Sequence, residues 1–381
     1  MIKQEVNEIK RLYTPNRCSI TRICGCYVDG EKNKKTEFKE AFLSLPEEEI
    51  FKYFELLRKT LSGTVGKNLL DLEFPLASEE EGGTQEFLLR LRGSGLKDDA
   101  LLEEFYDRVI ASYEYVGNYL ILLIHDAYDV PGKTSDGLTM DDASDTVYEY
   151  IMCCICPVNL SKPGLSYDAE ANEFHNRIRD WIVEMPQIGF LFPSFNDRSS
   201  DIHSTLYYTK NPEEAHSEFV DSILGAGLPL SAESQKETFH SLIEETLGSD
   251  AEYEVVKSIH ENLTEMIDEH KEIPEPLTLD RQQVKRLLEK SGVAEEKLED
   301  FEQIYDTAAG EKTSLLVDNV ANTKTFEVKT PDVVVKVNPG RTDLVTTRTL
   351  DGKPCLVIEL SQSVEVNGIS VRSGGDFQEV L

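Results

Sequence analysis

The spacing of apolar residues changes twice along the chain, from mixed runs to helical periodicity and then to short β-branched runs. Residues 19–28 are β-rich and close on the turn dipeptide Asp29-Gly30, which predicts a strand. Pro46, followed by Glu47, Glu48 and Glu49, opens a helix that carries Ile50, Phe51, Phe54 and Leu57 at helical spacing. Gly82-Gly83 precedes a second helix. Asp98-Asp99 precedes a third, with Leu101, Leu102, Phe105, Val109 and Ile110. The apolar run 118–124 predicts a buried strand that ends at His125 and Asp126, followed by a polar loop from 129 to about 145. Residues 148–156 predict a strand paired beside it. Residues 180–184, 188–195 and 205–208 predict further β segments, and 188–195 runs into Asn196-Asp197-Arg198.

From 211 to 306 the period becomes helical. Asn211-Pro212-Glu213-Glu214 is a start signal for a helix bearing Phe219, Val220, Ile223 and Leu224 and stopping near Gly225. Ser231 opens the next, with Phe239, Leu242, Ile243 and Leu247 on one face. A long helix follows through Val255, Ile259, Leu263 and Ile267. Asp280 and Gln283 form a capping-box pattern before a shorter one, and 295–306 is a further helix. After 313, runs at 325–329, 333–337, 344–348 and 355–360 are separated by Asn338-Pro339-Gly340, Asp351-Gly352 and Asn367-Gly368, predicting a small antiparallel sheet or barrel. The tail at Ser373-Gly374-Gly375 reads as frayed. A chain of 381 residues exceeds one ordinary core. The reading is α+β in three parts: a mixed α/β domain over 1–210, an acidic helical domain over 211–312 and a small β domain over 313–381.

Charge sharpens this division. The net charge is −32, and residues 211–312 hold nine basic and 26 acidic side chains, a net −17. Such a surface repels phosphate backbones and anionic lipid, so direct nucleic-acid binding is disfavoured; it suits a well-solvated helical face or, more sharply, a protein partner with a basic surface or nucleic-acid mimicry. The start 1–10 is amphipathic and mixed in charge without an apolar core, and no run is long enough for a membrane span. A cytoplasmic protein is expected. The seven cysteines, an odd number, read as reduced thiols.

Two polar clusters are the candidate chemistry. His125, Asp126 and Asp129 on one side, and Asp197, Arg198, Asp201 and His203 on the other, have the residue types of a ligand site, a carboxylate/histidine metal site or an acid–base pair. The same residues also suit strand ends and turns, and no metal-binding spacing singles out a metal. Cys24 and Cys26 share a strand face, as do Cys154 and Cys156. If those strands were neighbours, four thiols could converge on zinc, although Cys-x-Cys is not the usual knuckle spacing and core packing is the simpler reading. Gly132-Lys133-Thr134 lacks the first glycine of a phosphate loop, Ala127 standing there. Neither a Gly-x-Ser-x-Gly elbow nor a glycine-framed cysteine in a strand-turn-helix context is present. No substrate or cofactor is identified.

Four stretches carry a resemblance: Thr21-Arg22-Ile23-Cys24-Gly25-Cys26-Tyr27-Val28-Asp29-Gly30-Glu31, His125-Asp126-Ala127-Tyr128-Asp129-Val130-Pro131-Gly132-Lys133, Cys156-Pro157-Val158-Asn159-Leu160, and Phe195-Asn196-Asp197-Arg198-Ser199-Ser200-Asp201-Ile202-His203. They resemble an uncharacterised bacterial domain-of-unknown-function family over nearly the whole chain, a family that implies no activity. Glu218-Phe219-Val220-Asp221-Ser222-Ile223-Leu224-Gly225 and Leu230-Ser231-Ala232-Glu233-Ser234-Gln235 are more distantly similar to the bacterial 37-kDa nucleoid-associated proteins. That similarity implies association with the nucleoid, here through a protein partner because of the acidity. The expectation is a non-enzymatic interaction protein. The alternative is a metal-dependent enzyme or ligand-binding protein in which His125, Asp126, Asp197 and His203 converge in one pocket.

Overall fold

A long antiparallel hairpin forms the middle of the first half of the protein, in a computed structural model that describes residues 1–133, 139–140, 146–248, 251–311, 313–359 and 364–371. The chain forms two compact units, residues 1–234 with 273–276, and residues 235–272 with 277–381.

In the first unit one antiparallel sheet is built from β1 (Ile20–Val28), β2 (Lys34–Ala41), β3 (Leu69–Glu73), β4 (Asn118–Val130), β5 (Thr146–Leu160), β6 (Trp181–Val183), β7 (Ile188–Phe192) and β8 (Ser204–Thr209). Their order is β2-β1-β4-β5-β7-β8-β3, with β6 pairing β5 beside this path. The longer helices of this unit are α1 (Lys3–Lys10), α2 (Glu47–Thr60), α3 (Thr84–Gly93) and α4 (Asp99–Ser112). Strand side chains alternate, so Leu120, Leu122 and Ile124 join Val6, Ile9, Phe54 and Leu57 in one core. Ile121 and Leu123 join Phe87, Leu91, Phe105 and Val109 in the other. Helices cover both faces, which explains why 118–124 is apolar at consecutive positions instead of alternating.

The hairpin corrects one expectation. The strand does not stop at Ile124 but continues to Val130, pairing residue for residue from Asn118 opposite Val158 to Val130 opposite Thr146. His125 and Asp126 are therefore mid-strand residues, because β5 supplies partners for the polar stretch as well as for the apolar one. Beyond it Gly132–Lys133 pairs with Thr139–Met140. Thr134, Ser135 and the remainder of the expected loop to 145 lie outside the described residues. The run 188–195 is divided at Pro193, which has no N–H for a ladder. Ser194–Asn196 then pairs with Ser199–Asp201 in a tight hairpin.

The helix expected from Asn211 begins only at Ser217, because His216 adopts a left-handed conformation that interrupts the backbone. Asn211 closes a turn instead, its carbonyl accepting the Glu214 amide at 3.0 Å. The helical segment ends where Gly225 turns left-handed (φ +60), as the sequence predicts.

The second unit holds most of α5 (Ala232–Leu247), then α6 (Tyr253–His270), α7 (Arg281–Lys290) and α8 (Phe301–Ala308). The predicted capping box forms at α7, with Asp280 Oδ1 accepting the Gln283 amide at 2.8 Å and Gln283 Oε1 accepting the Asp280 amide at 2.8 Å. Among the described residues the C-terminal β region contains three two-stranded ladders, Phe326–Lys329 with Val334–Val337, Val345–Leu350 with Lys353–Ile358, and Val364–Val366 with Ile369–Val371, while Leu315–Leu316 pairs back with Thr278–Leu279. Among the described residues these ladders do not merge into one sheet. Asp351-Gly352 and Asn367-Gly368 have the positive φ values of two-residue hairpin turns, so each ladder closes locally. Leu360 and the tail at 373–375 lie outside the described residues. Among the described residues no helix is long and apolar enough to cross a membrane. The fold is α+β.

Candidate functional site

Mid-strand placement sends His125 and Asp126 to opposite faces of the sheet. Asp126 is fully buried on the α1/α2 side, directly opposite Tyr150. The Tyr150 hydroxyl donates to Asp126 Oδ2 at 2.7 Å, the Ala127 amide donates to Oδ1 at 2.8 Å, and the Tyr13 hydroxyl lies 3.0 Å from that of Tyr150. Burial pushes the Asp126 carboxyl above its ordinary range against these hydrogen bonds, and it pushes the Tyr13 and Tyr150 hydroxyls well up. This is a sealed polar knot inside a core.

His125 joins three strands. Its Nδ1 is 2.7 Å from Thr21 Oγ1 and its Nε2 is 2.8 Å from Glu149 Oε1. The imidazole thus bridges the Glu149 carboxylate at Nε2 and the Thr21 hydroxyl at Nδ1. The order hydroxyl, imidazole, carboxylate has the parts of a nucleophile relay. Thr21 also contacts the His125 carbonyl at 3.2 Å, and the ring is only 6% exposed, so the three groups act as a clasp across β1, β4 and β5. Thr21, Glu149, Tyr13 and Tyr150 escape the sequence reading because their partners are 24 to 137 residues away.

The second cluster disperses as well. Asp197 and Arg198 take the two left-handed positions of the 196–199 turn, which exposes the Asp197 side chain. Arg198 reaches Glu8 of α1 through Nε and Nη2, at 3.1 and 2.9 Å, and Nη2 also donates to the Pro131 carbonyl at 3.1 Å. Burial acts to raise the Asp201 carboxyl, but hydrogen bonds from Ser204, Asn196 and the His203 amide outweigh it and hold Asp201 low. Exposed His203 contacts Glu79 through Nδ1 at 2.6 Å, which raises its pKa. Removing the half-buried Arg198 fork (Arg198→Ala) is expected to cost about 1–2 kcal/mol, read as a lower urea midpoint. A loss below about 0.3 kcal/mol would reduce the contact to a surface pair.

One pair from the two clusters shares a concavity. Asp129 and Arg198, with Tyr128, Glu8, Arg11, Arg17 and Ser19, line a concavity of about 960 Å³. Asp129 is exposed there. His125, Asp126, Asp197, Asp201 and His203 are not among its lining residues.

The thiols also separate. Cys24 and Cys26 point into the core beneath α3 and α4, while Cys154 and Cys156 point into the core beneath α1 and α2. Strand β4 stands between their strands, so the sheet itself divides the two pairs. Burial pushes Cys26 and Cys154 up to about 12, and Cys156 well up, which keeps them as thiols. Among the described residues no group of three His, Cys, Asp or Glu side chains is placed to hold a metal ion.

The second unit contains a different kind of site. Phe239, Ile243 and Leu247 of α5 face Val256, Ile259 and Leu263 of α6 across a groove of about 680 Å³, closed by Val320 and Phe326. Glu237, Glu244, Glu245, Glu254, Glu261 and Glu265 are exposed on the same two helices. His260 lines the groove with its ring 5.1 Å from that of Phe326, and its buried Nε2 has no hydrogen-bond partner among the described residues. Burial lowers its pKa and keeps the imidazole neutral.

A family model described as "Domain of unknown function (DUF4317)" matches residues 1–369, and the chain belongs to this family. No curated protein matches it.

Proposed function

We propose that this member of the family is a non-enzymatic interaction protein whose second unit receives a basic, apolar-anchored segment of a partner protein. The observation that carries this reading is the apolar groove between α5 and α6, bordered by helices rich in exposed carboxylates. Helix-in-groove recognition uses such a surface: apolar anchors supply contact area and opposite charge on the rim supplies register and on-rate. The orphan His260 nitrogen supports an incomplete site, since buried polar groups ordinarily have partners. The acidity of the region disfavours nucleic acid as the occupant. The resemblance read in the sequence at residues 218–225 and 230–235 to the 37-kDa nucleoid-associated proteins is the ground on which we infer a basic protein of the nucleoid as the partner. The placement in a bacterial cytoplasm, at the nucleoid, belongs to the same proposal.

A photo-crosslinking residue at Val256, which is 43% exposed on the groove wall, tests the proposal in cells. The expected adduct is a basic protein, and its yield falls at least fivefold when Ile243→Asp places a charge in the groove. An adduct equally abundant from an exposed position on the C-terminal hairpins, or indifferent to Ile243→Asp, would sink the reading.

A further inference from the structure

The first unit carries a basic concavity on a chain in which acids outnumber bases 71 to 39. α1 and the turn after it place Asn7, Lys10, Arg11 and Thr14 at helical spacing, and these line a concavity of about 510 Å³ with Arg17 and Arg58. No carboxylate lines it. Several other cations of this unit are neutralised where they stand, as Lys35 by Asp29, Lys39 by Asp99, Arg108 by Glu104 and Arg198 by Glu8. Among the described residues Lys10, Arg11, Arg17 and Arg58 form no such ion pair.

The plain explanation is that these cations complement helix C-termini, since Lys10 and Arg58 lie in the last turns of α1 and α2. Two such termini supply about half a negative charge each. That offsets about one of the four positive charges and leaves about three uncompensated.

We propose that this concavity binds a small, multiply charged phosphate-bearing anion. Arginine forks match phosphate oxygens in pairs, and Asn7 and Thr14 add neutral donors. Two of the cations are already oriented: Lys10 Nζ donates to Ser62 Oγ at 2.6 Å, and Arg58 Nε donates to the Phe54 carbonyl at 3.2 Å. The terminal guanidinium nitrogens of Arg58 have no hydrogen bond among the described residues and remain for a ligand. Arg58 and Lys59, after burial, lower the Lys10 pKa, which reports local positive potential that an anion relieves. The volume suits a metabolite, and the net charge of −32 opposes a polymeric phosphate backbone laid across the surface. Asn7, Arg11 and Arg17 also line the larger concavity that holds Tyr128 and Asp129, which leaves room for the organic body of such a ligand.

Calorimetric titration of the full chain with pyrophosphate at low salt tests this. One equivalent is expected to bind, with affinity lowered at least tenfold by Arg11→Gln and by Arg17→Gln and unchanged by the remote Arg348→Gln. Arg11 and Arg17 are exposed, so the variants are expected to keep the unliganded melting temperature of the wild type. Absence of binding would overturn the proposal, as would equal affinity in the three variants or an equally strong response to citrate. So would duplex DNA that binds more tightly through the same arginines, which would identify a polymer site.

Discussion

Gly189→Ala is expected to destabilise the first unit by about 2–4 kcal/mol, the larger of two effects that test how the sheet is held. Gly189 lies in β7 between Cys154 of β5 and Tyr208 of β8. A Cβ there would stand 2.4 Å from the Cys153 carbonyl oxygen and 2.7 Å from Thr60 Cγ2. The first obstacle is backbone in a central strand and has little freedom to move. The second is the end of α2, where Thr60 Oγ1 meets Cys154 Sγ at 3.0 Å. The glycine is therefore the space that lets α2 close on the sheet. Urea denaturation measures the loss. Thr60→Ala in the Gly189→Ala background is expected to recover only part of it, because the carbonyl clash remains. A loss under 1 kcal/mol, or full recovery, would show that the strand shifts freely.

Tyr150→Phe is expected to cost about 1.5–3 kcal/mol at pH 7, because it strips a buried carboxylate of its 2.7 Å donor. The same knot gives stability a pH dependence of definite sign. In the unfolded chain an aspartate titrates at about 3.9. Burial raises Asp126 above that in the folded protein, so between the two values the folded state holds a proton that the unfolded state has lost. The stabilisation is complete below the unfolded pKa and is lost as pH rises through the folded one. Asp126→Asn removes the titration. The stability of wild type minus that of Asp126→Asn is therefore expected to fall as pH is raised from 4, by urea midpoints at matched ionic strength. A difference that is flat, or that rises with pH, would show that burial does not raise the Asp126 pKa above its unfolded value.

Much of this fold is legible in the chain. The turn at Asp29-Gly30, the capping box at Asp280 and Gln283, the stop at Gly225 and the hairpin turns at Asp351 and Asn367 are local events, and local residues specify them. The chemistry is less so. His125 and Asp126 follow an apolar run, and such a run ordinarily ends where its partner ends. Here β5 is long enough to pair the polar stretch too, turning an expected strand-end cluster into two buried contacts on opposite faces. Signals for the basic concavity were present in α1 and the turn after it, where Asn7, Lys10, Arg11 and Thr14 recur at helical spacing. The cations that complete it, Arg17 and Arg58, come from other elements.

The cysteine pairs mark the boundary between the two kinds of information. Alternation in a strand determines, from sequence alone, that Cys24 goes with Cys26 and Cys154 with Cys156. Which face each pair occupies, and that β4 lies between them, was decided only by the tertiary structure. Side-chain direction within a strand follows from bonded geometry and a period of two. The pairing of residues 20–28 with 118–130 depends on which distant surfaces bury the most apolar area together, and that is a property of the whole chain.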